Sequence, residues 1–152
     1  MPLIFAFLVG IFAGLRALTP PAITAWAVYM GWLKLEGSLS LIGSLPSVVI
    51  LTLLAIGELV GDKLPKTPNR TAPLGLIARM VTGGVTGACI TLAGGQGAFA
   101  GGLLGAIGGA VGCFGGYQTR KRLVSALGTQ DFYVALVEDL VAIAGCLWVV
   151  TR

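Results

Sequence analysis

The chain has 152 residues, of which 56% are hydrophobic and 11% are charged, and its mean hydropathy is +0.94. A soluble domain carries about 25% charged residues, so this composition excludes an ordinary soluble protein and predicts one multi-pass transmembrane domain over residues 1–152. Histidine is absent, which argues against zinc sites and Ser-His or Cys-His catalysis. We therefore expect no cofactor and no metal ion. We attribute the net charge of +4 to short basic loops, not to a nucleic-acid partner.

Five apolar segments follow one another between polar breaks. They cover residues 3–33, 46–61, 73–93, 97–117 and 132–150. Because about 20 apolar residues are needed for a helix to cross a bilayer, the fold class predicted is an all-α integral membrane protein in contact with the lipid bilayer. The first segment is too long for one ordinary span, and Thr19, Pro20 and Pro21 predict a break within it.

Basic loops orient these segments. The connection over 62–72 carries three basic residues, as does the connection over 118–131, where we also expect a short surface helix. With five spans both connections share a side with the N-terminus, and the opposite side carries only Lys34 and Arg152. The excess of positive charge predicts a cytoplasmic N-terminus. If Pro20-Pro21 instead makes the first segment a re-entrant hairpin, the N-terminus moves to the other face.

A stripe of glycines runs along the fourth segment. Its members recur at helical spacing: Gly97, Gly101, Gly105, Gly109, Gly112 and Gly116. Small residues let helix backbones approach closely in a membrane. We expect a central helix packed by its own neighbours, with a face for self-association into a homo-oligomer as the alternative.

Six charged residues lie inside or at the edge of the predicted spans: Arg16, Glu58, Asp62, Arg79, Glu138 and Asp139. Each costs about 2.5–3.5 kcal/mol at a helix centre, so each indicates a functional site. Helical rise places most of them in the cytoplasmic half of the membrane. Four carboxylates against two arginines predict an excess of negative charge that is protonated, hydrated or matched by a cation. Of the adjacent pair, we expect Glu138 to enter the bundle.

A weak internal repeat accompanies these charges. The stretch "RALTPPAITA" at 16–25 resembles "RMVTGGVTGA" at 79–88. In both, an arginine is followed by a threonine and two helix breakers, so Thr82, Gly83 and Gly84 predict a second break. Inverted repeats with broken helices around a midplane site are a recurring transporter design.

The combination of "GLRALTPPA", "GELVGDKLPKTPNRTAP", "ARMVTGG" and "VEDLVAI" resembles the small bacterial membrane proteins of domain-of-unknown-function family 4126. The likeness extends over nearly the whole chain and implies a bacterial inner-membrane protein without an assigned activity. The family's recurrent positions fall on Arg16, Thr19, Pro20, Glu58, Asp62, Pro65, Arg79, Glu138 and Asp139.

Three functions follow from these patterns. The leading hypothesis is a transporter or channel-like protein with a charged cavity for an ion, a proton or a small polar or anionic solute. The alternative is a non-transporting structural or partner-binding protein whose ion pairs only fix helix packing. We expect no enzyme; the nearest enzymatic reading is a metal-dependent enzyme acting on lipid head groups.

Overall fold

The computed structural model describes residues 1–64 and 71–152, and these residues are helical throughout apart from short connections. The helices are α1 Pro2–Leu15, α2 Thr19–Tyr29, α3 Leu45–Gly61, α4 Pro73–Ala93, α5 Ala98–Leu127 and α6 Asp131–Val150, with a short 3₁₀ helix at Gly37–Gly43 before α3. The predicted all-α class is confirmed. Pro65, and the Lys66 and Arg70 of the basic connection, lie outside the described residues.

Three of these helices, α4, α5 and α6, are long and apolar enough to cross a membrane, and the 3₁₀ helix with α3 makes a fourth candidate bent by 59°. Helix α1 is shorter, with 14 residues, or about 21 Å at 1.5 Å per residue. Helix α5 has 30 residues, or about 45 Å. The residues expected to form a separate surface helix after 118 are therefore the last turns of α5.

The first apolar segment folds back on itself. Ala27 of α2 belongs to a buried apolar cluster. Phe5 and Leu8 of α1 pack against this cluster, and so does Leu33, which follows α2. Met1 and Trp32 also line one common cavity. The start of α1 thus lies at the same end of the molecule as the end of α2. The segment is a helical hairpin with its tip at residues 16–18.

Both chain termini lie at one end of the bundle. The cavity that contains Met1 is also lined by Gly94, after α4, and by Arg152, after α6. Because α1 folds back through α2, the first of the five predicted segments supplies two of the helices, and the helices of the described residues alternate in direction. For five spans, the sequence predicts the N-terminus on the same side as the basic 62–72 connection. The structure differs from this prediction, because Asp62 lies at the hairpin tip, away from Met1.

Helix α4 runs unbroken through Thr82, Gly83 and Gly84, so the second predicted break is absent. Glycine keeps its N–H group, so it interrupts no helix hydrogen bond, unlike proline. The hydroxyl of Thr82 donates to the carbonyl of Ala78, 2.9 Å away, within the same helix. Gly83 faces α5, where an added Cβ would overlap the carbonyl oxygen of Gly105. The glycine pair serves close packing.

Helices α1, α4 and α5 form the most extensive contacts of the fold. Added Cβ atoms at Gly101, Gly105 and Gly109 would collide with α4, and one at Gly112 would collide with α1. These four glycines pack within one chain, as a central helix requires. An added Cβ at Gly97 meets open space, and Gly116 lines a groove beside α6.

Helix α3 is attached differently. It packs mainly against α2 and the 3₁₀ helix, and its large side chains, such as Leu53 and Val60, are exposed. Trp26 of α2 donates an indole hydrogen bond to the Thr52 hydroxyl at 2.9 Å. The fold therefore combines a glycine-packed core with a peripheral helix.

Candidate functional site

The hairpin tip frees backbone donors at the start of α2, and a carboxylate binds them. The N–H groups of Ala17 and Leu18 donate to the two carboxylate oxygens of Glu58 at 2.7 Å and 2.8 Å. Pro20 and Pro21 have no N–H, so they remove two further donors that would otherwise need partners. A negative charge is also favourable at a helix N-terminus. Glu58 thus caps α2 from another helix.

The other side of the tip, the end of α1, receives a positive charge. The Nε of the buried Arg79 donates to the carbonyl of Gly14 at 3.1 Å, and its Nη1 donates to the carbonyl of Gly75 at 3.1 Å. Cations are stabilised at helix C-termini, where the last carbonyls lack helical partners. Arg79 therefore joins α4 to the hairpin tip.

Arg16 lies between these two caps and is fully buried. Its guanidinium contacts the carboxylates of Asp62, just after α3, and Asp139 of α6. Its backbone is extended, with φ −139° and ψ 110°, so the chain leaves α1 at this residue. One side chain at the tip therefore holds together the hairpin, the end of α3 and the middle of α6.

Lys63 completes this cluster. Its Nζ lies 2.7 Å from Oδ2 of Asp139 and donates to the carbonyl of Leu59 at 3.0 Å. Asp139 thus meets two basic groups, Arg16 and Lys63. From the sequence, Lys63 is interpreted only as a loop charge, because it lies beyond the last apolar residue of α3. The sequence feature that could have assigned it to the charged cluster is its position directly after Asp62.

Glu138 and Asp139 are both buried, and they serve different partners. Both side chains enter the bundle, whereas the sequence predicts this of Glu138, and Asp139 contacts Arg16. Glu138 lies 3.5 Å from Nη1 of Arg120, whose guanidinium also binds the Asp131 carboxylate at 2.7 Å and 2.5 Å. Successive helical residues point about 100° apart, which separates the two carboxylates.

The charge balance differs from the sequence count. Four predicted carboxylates were set against Arg16 and Arg79, but Lys63 and Arg120 add two more basic partners. Arg120 was missed because it lies in a basic run that reads as a loop. The extension of α5 beyond residue 117 brings it to α6. Among the contacts between described residues, Arg16, Lys63 and Arg120 meet these carboxylates, and Arg120 also binds Asp131.

Two buried hydroxyls lie along α2. The Oγ1 atoms of Thr19 and Thr24 have no hydrogen-bond partner among the residues that the structure describes. Buried hydroxyl groups cost free energy unless they are bonded, and ordered water is a common partner. Thr19 and Thr24 therefore extend the polar region from the charged cluster at the hairpin tip farther into the bundle.

An apolar cluster lies farther along the hairpin. It contains Val9, Ala27, Ile90, Cys146, Val149 and Val150. Beyond it lies a cavity of about 690 Å³ at the end that carries both termini. Ile90, Val149 and Val150 belong to both the cluster and the cavity wall. We call this cavity the vestibule. From this end, the order is vestibule, apolar cluster, buried threonines and charged tip.

The chain belongs to the family described as Domain of unknown function (DUF4126), whose model matches residues 3–151. The resemblance stated from the sequence motifs is confirmed. No curated protein and no solved structure matches the chain. Its candidate function therefore rests on the arrangement of its own residues.

Proposed function

We propose that this protein transports a small charged solute or proton across a membrane and that the hairpin tip is its central site. The observation that carries the proposal is Arg16, fully buried at the tip of a folded-back hairpin and in contact with carboxylates from two other elements. Ionisable groups inside membrane bundles mark solute and proton pathways. Irregular backbone at such depth is tolerated where protein or a water-filled cavity surrounds it.

The ends of the two half-helices support this proposal. In transporters with discontinuous helices, half-helix ends point at the charged groups of the solute or coupling ion. In this protein Glu58 occupies the N-terminus of α2, and Arg79 occupies the C-terminus of α1. Resident side chains therefore hold positions that suit a bound anion and a bound cation. Under this proposal, a solute enters the site when these groups exchange partners.

Helix α3 is the part best suited to move. Close backbone contacts at glycines hold α1, α4 and α5 together, whereas α3 packs mainly on α2. Glu58 and Asp62, at the end of α3, bind the hairpin tip through polar contacts. Displacing this end breaks hydrogen bonds and an ion pair that water or a solute can replace. Water or a solute cannot replace the backbone contacts of the packed glycine interfaces in this way.

Orientation follows from charge. Arg120, Lys121 and Arg122 lie on the α5 extension, at the end opposite the termini, together with Lys63. We propose a bacterial inner-membrane location with this basic end in the cytoplasm. Both termini then face outward. A reporter that is active only outside the cytoplasm, fused after Arg152, should be active; a silent reporter contradicts the orientation.

Flux through reconstituted vesicles tests the proposal. We expect purified protein in liposomes to pass protons or one of a panel of small ions under an imposed potential, measured with entrapped indicators. Glu58→Gln and Asp139→Asn should each lower the flux at least tenfold, because each weakens a charged contact at the tip. Glu36→Gln is the matched control, since Glu36 is an exposed carboxylate before the 3₁₀ helix. Equal flux in all four proteins contradicts the proposal.

A non-transporting structural role is the second candidate. The observation that favours it is that Glu58, Asp62 and Asp139 all have protein partners. Under this role Glu58→Gln and Asp139→Asn should each lower the unfolding midpoint, because each weakens a packing contact, and vesicles should show no flux with any solute. Under the transport role the parent protein should show flux, and both variants should lower it more than the Glu36→Gln control.

A further inference from the structure

The vestibule is a built cavity at the end of the bundle that carries both termini. Its walls come from the terminal turns of α1, α4 and α6 and from the segment after α2. At about 690 Å³ it falls within the 300–1,000 Å³ typical of small-molecule sites. Because its walls lie at or just beyond helix ends, the cavity sits at the end of the bundle that carries both termini.

The walls are mostly apolar. Phe5, Trp32 and Leu33 contribute the larger side chains, and Ile90 and Val149 form part of the floor. A small inorganic ion gains little from such walls, because it loses hydration without gaining bonded partners. An apolar body gains from leaving water. The wall chemistry therefore favours an organic ligand.

The charged side chains of the lining are both basic. They are Lys34, which follows the hairpin, and Arg152, whose guanidinium lies 5.6 Å from the ring centroid of Trp148. Glu36 is exposed nearby in the sequence and is not part of the lining. Two basic side chains beside an apolar floor complement a ligand with one anionic group and one apolar body.

We propose that the vestibule binds a dissolved organic monoanion, a carboxylate or sulfonate on an apolar body, with its charge toward Lys34 and Arg152. Only the fate of the bound ligand, and not the binding itself, rests on the proposed transport function. An anion bound here lies directly above the apolar cluster and in line with Thr24, Thr19 and Arg16. The bound anion is then the solute waiting to enter the bundle.

Calorimetric titration of the full chain in nanodiscs of zwitterionic lipid tests the binding step. The probe is benzenesulfonate, and its neutral isostere benzenesulfonamide is the matched ligand. We expect benzenesulfonate to bind, and Lys34→Gln and Arg152→Gln each to weaken it roughly tenfold, equivalent to about 1.4 kcal/mol. Lys121→Gln is the control variant, because Lys121 is an exposed basic residue at the opposite end.

Three outcomes overturn the proposal. They are no binding of benzenesulfonate, equal binding of the sulfonamide, or an equal loss in Lys121→Gln and Lys34→Gln. A further arm adds anionic lipid to the nanodiscs. If that lipid abolishes benzenesulfonate binding at constant ionic strength, the cavity belongs to lipid head groups and the dissolved anion is wrong. Persistence of binding supports the dissolved anion.

Vesicle flux separates this inference from the transport proposal. Binding of benzenesulfonate together with no flux of any tested solute supports the site and overturns transport. Flux of other ions without benzenesulfonate binding supports transport and overturns the site. Saturable uptake of benzenesulfonate, lost in Asp139→Asn and weakened in its KM by Lys34→Gln, supports both.

Discussion

The stretches at 16–25 and 79–88 begin with the same pattern and fold differently. In the first, the chain leaves α1 at Arg16 and starts a new helix at Thr19. In the second, α4 continues through Thr82 to Ala93. Pro20-Pro21 cannot continue a helix, because each proline lacks the N–H and clashes with the preceding turn. A glycine pair keeps both N–H groups. The breaker chemistry, and not the shared Arg-x-x-Thr, decides the fold.

The two stretches nevertheless meet in space. Arg79 donates to the carbonyl of Gly14, two residues before Arg16. The break at the first copy exposes backbone groups at the end of α1, and the unbroken copy supplies a side chain, that of Arg79, which binds one of them. A sequence repeat thus became two complementary parts of one site, which a symmetric reading of the repeat does not anticipate.

Removing the two arginines tests this difference most strongly. Arg16→Met should cost about 3–5 kcal/mol, because it leaves two buried carboxylates without that cation. Arg79→Met should cost less, about 1–3 kcal/mol, since the Gly14 and Gly75 carbonyls that it bonds are neutral groups. Thermal unfolding midpoints of the purified variants in detergent measure both. A larger loss for Arg79→Met contradicts the assigned roles.

Exchanging the breaker residues is the next largest effect. Gly84→Pro should destabilise the protein by about 3 kcal/mol or more, because it removes a hydrogen bond inside α4. Pro20→Ala should cost about 0.4–1 kcal/mol, since position 20 already lies at the start of a helix and chiefly loses the proline's restriction of the unfolded chain. The same melting experiment compares them. Similar losses in the two variants would mean that the breaks are equivalent after all.

Substitutions at the glycine interface should lower stability less than Arg16→Met or Gly84→Pro, and a second glycine on the same helix provides a matched control. Gly105→Ala should cost about 1–3 kcal/mol, because its Cβ would overlap the Gly83 carbonyl of α4. Gly115→Ala, on the same helix, should be neutral or slightly stabilising, since its Cβ meets open space and alanine favours helix. Unfolding midpoints and monodispersity of both variants provide the check. Equal behaviour would show that α5 does not pack on α4 through Gly105.

Local patterns predicted much of the fold. The apolar segments at 73–93 and 132–150 became α4 and α6 with nearly the predicted bounds, because a continuous apolar run long enough for a bilayer leaves few alternatives to a helix. Family membership was also readable from the motifs. Of the site, Arg16, Glu58, Asp62 and Asp139 were found from the cost of burying a charge.

The pairing of those charges was not readable. Asp139 contacts Arg16 while Glu138 turns to Arg120, a choice set by how α6 is rotated against α1 and α5. Lys63 and Arg120 were overlooked because each borders a polar run. Long side chains at helix ends reach inward or outward depending on their neighbours, and only the assembled bundle decides which.

By itself the sequence determined that this chain is helical, membrane-like and broken near Thr19-Pro20-Pro21, which begin α2 directly after the break, because composition and proline chemistry act locally. Only the tertiary structure decided that the break reverses the chain, so that Met1 and Arg152 share one end. The direction of a chain after a break depends on which partners bind the freed backbone. Here those partners, Glu58 and Arg79, come from helices that lie far along the sequence.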